Sequence, residues 1–143
     1  MRCIIAGDRN IAEQDYQLID AAILASKFKI TEVVSGAAKG GDKLGENWAS
    51  INRVKVKKFP ADWKDLDAVG AVIKEGEYGK YNARAGFDRN TKMVEYCDCV
   101  IILSSNNDYS TCDDIIDRAK KRKIPIFIYP ERNERISEYC YTF

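Results

Sequence analysis

Short apolar runs alternate with stretches of helical periodicity along this chain, and that alternation restricts its fold more than any other feature. Apolar runs that end at glycine, at proline or at a polar loop predict buried strands. The predicted strands are 3–6, 31–35, 54–59, 100–103 and 126–129. Helical spacing predicts helices at about 12–28, 42–51, 90–96 and 111–122. Strands separated by helices form right-handed crossovers, so we expect an α/β, Rossmann-like doubly wound parallel sheet with helices on both faces.

Five strands of this kind most simply take the order 3-2-1-4-5, which places a topological switch between the first and fourth strands. Ligands in such sheets bind beyond the carboxyl ends of the strands at the switch. The loops at that edge are 7–11, 35–42 and 104–111. With 143 residues the chain has the length of a single domain. Residues 64–84 are interpreted as an insertion, with a weak helical segment near 66–74.

Composition excludes several classes of mechanism. The chain contains no histidine, which removes Ser-His-Asp, Cys-His and His-metal chemistry. Its five cysteines have no framework or metal-site spacing, so Cys97 and Cys99 are interpreted as small buried residues and no metal site is predicted. The net charge of +1 gives no general attraction to nucleic acid or membranes. No apolar run has the length of a signal peptide or membrane span, and we expect a cytoplasmic protein.

The loop at 35–42 is the most informative stretch. Its small residues leave backbone N–H groups uncovered just before a predicted helix, which is typical of an anion cradle. A Walker-type phosphate loop needs lysine directly after its second glycine, and here Asp42 intervenes, so NTP hydrolysis of that type is excluded. Asp42 also suits a helix cap. In the first loop, Gly7 permits a tight turn and Arg9 offers a planar fork for phosphate or carboxylate.

The third loop places hydroxyls and amides ahead of a predicted helix. Ser104, Ser110 and Thr111 suit contacts with phosphate or ribose, although Ser110 or Thr111 also suits a capping pair with Asp113 or Asp114.

Four motifs together resemble the SLOG superfamily, the Rossmann-like group that unites DprA/SMF proteins with the LONELY GUY enzymes. They are I-I-A-G-D-R at 4–9, S-G-A-A-K-G-G-D at 35–42, F-P-A-D-W at 59–63 and A-G-F-D-R-N-T-K-M at 85–93. The order of the motifs is most similar to the small YspA-like branch. The tail at 131–143 lies outside the resemblance.

The resemblance implies a Rossmann-like domain over residues 1–143 that binds a nucleotide-related ligand, a nucleoside phosphate or an ADP-ribose-like signal, as a sensor or sequestering protein. No other cofactor is predicted. The loops and motifs together give one set of candidate ligand-binding residues: Gly7, Asp8, Arg9, Ser35, Gly36, Ala37, Lys39, Gly40, Gly41, Asp42, Arg89, Asn90, Ser104, Ser110 and Thr111.

Two other functions stay open. LONELY GUY enzymes carry P-G-G-x-G-T-x-x-E with an essential glutamate. Here the similar stretch at 106–114 keeps Thr111 and has Asp114 at the glutamate position, but has lost all three glycines. A hydrolase that cleaves an N-glycosidic or phosphoester bond would use Asp114 and Arg89. Single-stranded DNA binding is a weaker alternative, because the charge is balanced and no stacking series is present. The resemblance to SLOG proteins, which are commonly dimers or larger, and the aromatic residues of the tail at 131–143 together predict a homo-oligomer.

Overall fold

The structure is a computed structural model that describes residues 1–104 and 112–129. Its elements follow in the order β1 (Arg2–Gly7), α1 (Tyr16–Ser26), β2 (Glu32–Ser35), α2 (Gly41–Ile51), β3 (Lys55–Lys58), β4 (Ile73–Gly76), β5 (Gly79–Asn82), α3 (Ala85–Tyr96), β6 (Cys99–Leu103), α4 (Asp113–Lys121) and β7 (Ile126–Tyr129).

The predicted parallel sheet and its strand order are confirmed. Five parallel strands run in the order β3-β2-β1-β6-β7, so β1 and β6 lie side by side at the switch. Gly7 is in register with Leu103, which brings the carboxyl ends of these two strands together. Every residue of β6 is buried, as expected for a central strand covered on both faces.

The core lies on both faces of the sheet because alternate residues of each strand point to opposite sides. Along β1, Ile4 packs in a cluster with Met93 of α3 and Ile116 of α4. Its neighbour Ile5 packs in the other cluster, with residues of α1 and α2. None of the described helices has the length and apolar composition needed to cross a membrane.

The buried cysteines belong to this core. Cys97 and Cys99 are buried free thiols, in agreement with the prediction. Burial raises the pKa of Cys97 to about 12, so the thiol stays protonated and packs as a small apolar group.

The insertion differs from the prediction: the expected weak helix near 66–74 is wrong. Turns lead instead into the antiparallel hairpin of β4 and β5. Gly70 adopts a φ of +76°, and a Cβ at that position would lie 2.1 Å from Nη1 of Arg84. The buried Asn82 side chain fixes the segment, because it accepts from the amides of Val72 and Arg84 at 3.1 Å and donates to the Asp65 carbonyl at 3.2 Å.

The helix after the insertion begins earlier than predicted. α3 begins at Ala85 and not at Asn90. Its first turn contains the small residues Ala85 and Gly86, and the ring of Trp63 packs against Gly86, a contact that apolar periodicity does not detect.

Candidate functional site

A cleft of about 430 Å³ lies at the carboxyl end of β1, at the switch point. Its volume is within the usual range for small-molecule sites. Seven of the predicted site residues line it: Gly7, Arg9, Gly36, Lys39, Asp42, Arg89 and Asn90. They come from three separate stretches of sequence, which the parallel topology brings to one edge.

Two glycines hold the first and second loops against each other. The Gly41 amide donates to the Asp8 carbonyl at 3.2 Å, and a Cβ on Gly41 would lie 2.4 Å from the Gly7 Cα. Gly40 has a φ of +78°, and its Cβ would lie 2.1 Å from the Asp8 carbonyl oxygen. Both glycines are therefore required for this close approach, and the Gly41 amide has an acceptor within the chain. Contact of Gly40 or Gly41 with a ligand stays a prediction.

The backbone before α2 is shaped by Ser35. The Ser35 hydroxyl accepts from the Ala37 amide at 3.0 Å and donates to Oε2 of Glu46 at 2.7 Å, and it is fully buried. Ala37 has a φ of +60°, an uncommon conformation for a residue with a Cβ. Ser35 thus acts on the shape of the loop, and the exposed Ala37 lies at its turn.

Glu46 is a polar residue of this region that the sequence analysis missed. It is buried and lies within reach of two ammonium groups, that of Lys43 at 3.6 Å and that of Lys58 at 3.4 Å. Its spacing of four residues from Asp42 on α2 is the one sequence signal that places it on the same helix face.

Arg89 connects α3 to the second loop. Its Nη1 donates to the Gly36 carbonyl at 2.6 Å, and its Nε donates to Oδ1 of Asn90 at 2.8 Å. A Cβ at Gly36 would lie 2.6 Å from this Nη1, so a side chain at position 36 would displace the guanidinium from its present position. A guanidinium has five N–H donors, and among the described residues acceptors are present for two of Arg89's. Burial lowers the pKa of Arg89, and nearby Asp42 and Asp114 oppose that shift.

Asp42 is the buried acid of the cleft. Its carboxylate accepts from the Ala38 amide at 3.4 Å. Burial raises the pKa of Asp42 to about 6, a shift opposed by the hydrogen bond from Ala38 and the charge of Arg89. The neighbouring charge of Glu46 adds to the upward shift. Asp42 does not cap α2: the helix begins at Gly41, its N-cap residue is Gly40, and no side chain makes the capping hydrogen bond.

Arg9 and Lys39 supply exposed positive charge at the cleft. Both side chains are exposed, and within residues 1–104 and 112–129 neither has a hydrogen-bond or ion-pair partner. The buried Asp8 holds the backbone beside Arg9, because its Oδ1 accepts from the Asn10 amide at 2.9 Å. With Arg89, the cleft has three cationic side chains around a floor of small residues, an arrangement suited to an anion.

The two residues predicted for catalysis are both fixed by other side chains. Oδ2 of Asp114 accepts from Nδ2 of Asn90 at 3.1 Å and from Nε of Arg118 at 2.8 Å. Asp114 is the acceptor in both contacts. Asp114 and Arg89 both line a second cavity of about 410 Å³. A catalytic role for this pair stays a prediction.

The remaining candidates contribute less to the described site. Ser104 is buried, and its amide donates to the Tyr129 carbonyl at 3.1 Å. Ser110 and Thr111 lie outside the described residues, as does the tail at 131–143.

Comparison with known proteins identifies one family. Residues 1–65 match the family model described as "YAcAr: YspA, cpYpsA-related SLOG family". The matched part contains the first three strands, α1, α2 and the two loops that Gly7 and Gly41 hold together. Arg89 and Asn90 lie beyond it. No curated protein matches the chain.

Proposed function

We propose that this chain, whose residues 1–65 match the YspA-related SLOG family model, binds a small phosphorylated, nucleotide-type ligand in the cleft at the end of β1. The family is consistent with ligands of this kind. The remaining support comes from the charges and donors that the cleft presents.

The observation that carries the proposal is the set of unused cationic donors. Arg9 and Lys39 have no partner among the described residues, and Arg89 is anchored through only part of its guanidinium. The uncapped start of α2 adds its positive end at the same edge. A phosphate group would satisfy these donors without displacing a contact between described residues, since Gly36 and Asn90 hold Arg89 through other N–H groups.

Binding is favoured over hydrolysis because the acids are committed elsewhere. Asp114 is held by Asn90 and Arg118, and the buried Asp42 lies beside Arg89. A sensor or sequestering role therefore fits these contacts better than a phosphoribohydrolase. DNA binding is less supported, since Arg9 and Lys39 face one small cleft and the net charge is only +1.

Calorimetry with a double variant tests the proposal. Adenosine monophosphate (AMP) and ribose 5-phosphate serve as probes. Replacing Arg9 and Lys39 together with alanine is expected to weaken the binding of both compounds by more than about tenfold, which corresponds to about 1.4 kcal/mol. The matched control replaces Lys29 and Lys55, which are exposed cations away from the cleft, and leaves affinity unchanged.

Equal affinities in the two double variants would refute the assignment of the cleft. Native mass spectrometry of freshly purified protein adds an independent measurement, because a retained nucleotide would appear as a discrete mass increase. That mass would also identify the base and the number of phosphates.

A further inference from the structure

A second cavity shares a wall with the anion cleft. It has a volume of about 410 Å³, and both Arg89 and Asn90 line it as well as the cleft. Its other walls come from Trp63 at the start of the insertion, Phe87 of α3 and the first turns of α4. A ligand bound to Arg89 in the cleft can therefore extend into this second cavity.

Trp63 forms a fixed aromatic wall there. Its carbonyl accepts from the Asn82 amide at 2.6 Å, which ties it to the end of β5. A Cβ at Gly86 would lie 2.7 Å from Cη2 of Trp63, so the indole rests directly on the backbone of α3. Tyr81 packs against the indole edge-on, with ring centroids 6.2 Å apart. The hairpin therefore acts as the support for this indole.

The aromatic surface is nevertheless open. Trp63 is 41% exposed and Phe87 is 52% exposed, although both line a concave site. The indole N–H of Trp63 has no acceptor among the described residues. Fixed aromatic rings that face a cavity are the platforms on which planar bases stack.

The charge of the second cavity is opposite to that of the cleft. Asp113 and Asp117 are exposed carboxylates that line it. A phosphate is repelled by these groups, whereas the amino groups of a base or the hydroxyls of a ribose donate to them. The two cavities therefore differ in the chemistry that they accept, and Arg89 lies at their boundary.

We infer that the second cavity is the subsite for the base of the ligand, with the ring stacked against Trp63 and Phe87 while the phosphate lies in the cleft beside Arg89. This inference rests on the proposed function, because the cleft fixes the position of the phosphate. It assigns the insertion a role in recognition: the hairpin supports Trp63 and so selects ligands that carry an aromatic ring.

Tryptophan fluorescence tests the inference directly. The chain has two tryptophans, and Trp48 lies on α2, where its Nε1 donates to Asp20 at 2.9 Å. Trp48→Phe leaves Trp63 as the sole reporter. AMP is expected to quench this fluorescence and ribose 5-phosphate is not, and AMP should bind at least about fivefold more tightly, the lower limit for stacking of one base.

Two variants then separate stacking from folding. Trp63→Ala and Phe87→Ala should each lower the affinity for AMP toward that for ribose 5-phosphate, while the affinity for ribose 5-phosphate stays unchanged. Trp63→Ala also removes packing against Tyr81, so circular dichroism is used to check that this variant is folded. If it is unfolded, the affinities of Phe87→Ala provide the test of stacking. Leu24→Ala, on the exposed face of α1, is the control for loss of surface apolar area.

The outcomes distinguish a failure of the base subsite from a failure of the phosphate cleft. Equal binding of AMP and ribose 5-phosphate, without quenching, would overturn the base subsite and leave the phosphate cleft standing. Absence of binding by both compounds would overturn the proposed function and this inference with it.

Discussion

Replacing Asp42 with asparagine is expected to stabilise the protein at neutral pH. Burial raises the pKa of Asp42 to about 6 from its ordinary 3.8, so the folded protein accommodates the ionised carboxylate less well than the unfolded chain does. At 1.36 kcal/mol per pKa unit, this difference corresponds to about 3 kcal/mol above pH 6. Asparagine keeps a carbonyl oxygen that can accept from the Ala38 amide and removes the buried charge.

The pH dependence of the stability difference between the two proteins tests this expectation more strictly than its value at a single pH. Because the folded-state pKa is the higher one, the wild-type protein binds protons on folding between about pH 4 and 6, and its stability gains as the pH falls through that window. The stability advantage of Asp42→Asn is therefore largest at about pH 7.5 and approaches zero at about pH 4. Glu46 and Arg89 face the same carboxyl, and both are present in the two proteins, so the difference between the proteins isolates Asp42.

Urea denaturation of both proteins at several pH values measures this difference. Asp67→Asn, which removes the same charge from an exposed turn, controls for the change in net charge. A stability difference that does not vary with pH would show that folding leaves the pKa of Asp42 unchanged, and a variant that is less stable at neutral pH would show that the ionised Asp42 stabilises the loop. Either result would refute the reasoning.

Three further predictions address packing, chemistry and assembly. Gly41→Ala is expected to lose about 1–3 kcal/mol or more in urea denaturation, because its Cβ would lie 2.4 Å from Gly7, and an unchanged midpoint would contradict that packing. AMP incubated with stoichiometric protein should release no free base or ribose phosphate in chromatography, since Asp114 is held by Arg118; release that disappears in Asp114→Asn would establish the hydrolase instead. The aromatic tail predicts a homo-oligomer, and light scattering that gives a monomer at micromolar concentration would contradict it.

The sheet was predictable because its signal is local. Each central strand is a short apolar run that ends at a glycine or at a polar loop, and the order of runs and helices leaves one simple topology. The insertion was not predictable in the same way. Its conformation depends on Gly70 packing against Arg84 and on the Asn82 side chain bridging distant amides, and neither contact leaves a periodic pattern.

The sequence predicts which residues form the site better than it predicts the contacts that they make with one another. Gly7, Gly36 and Arg89 were identified from loops and motifs, yet the sequence gives no indication that Arg89 reaches the Gly36 carbonyl across 53 positions. The sequence also suggested that Gly41 presents its amide to a ligand, whereas that amide bonds to Asp8. Side-chain pairings of this kind depend on tertiary distances that no spacing rule encodes.

The pairing of β1 with β6 has a consequence for how the protein is made. Cys3 is in register with Cys99, so β1 obtains its second neighbour in the sheet only after β6 has been synthesised. Until then the edge of β1 exposes the unpaired amides and carbonyls of an apolar strand, which invites association with other nascent chains. Slower translation before residue 99 would lengthen the time for which this edge of β1 has no partner.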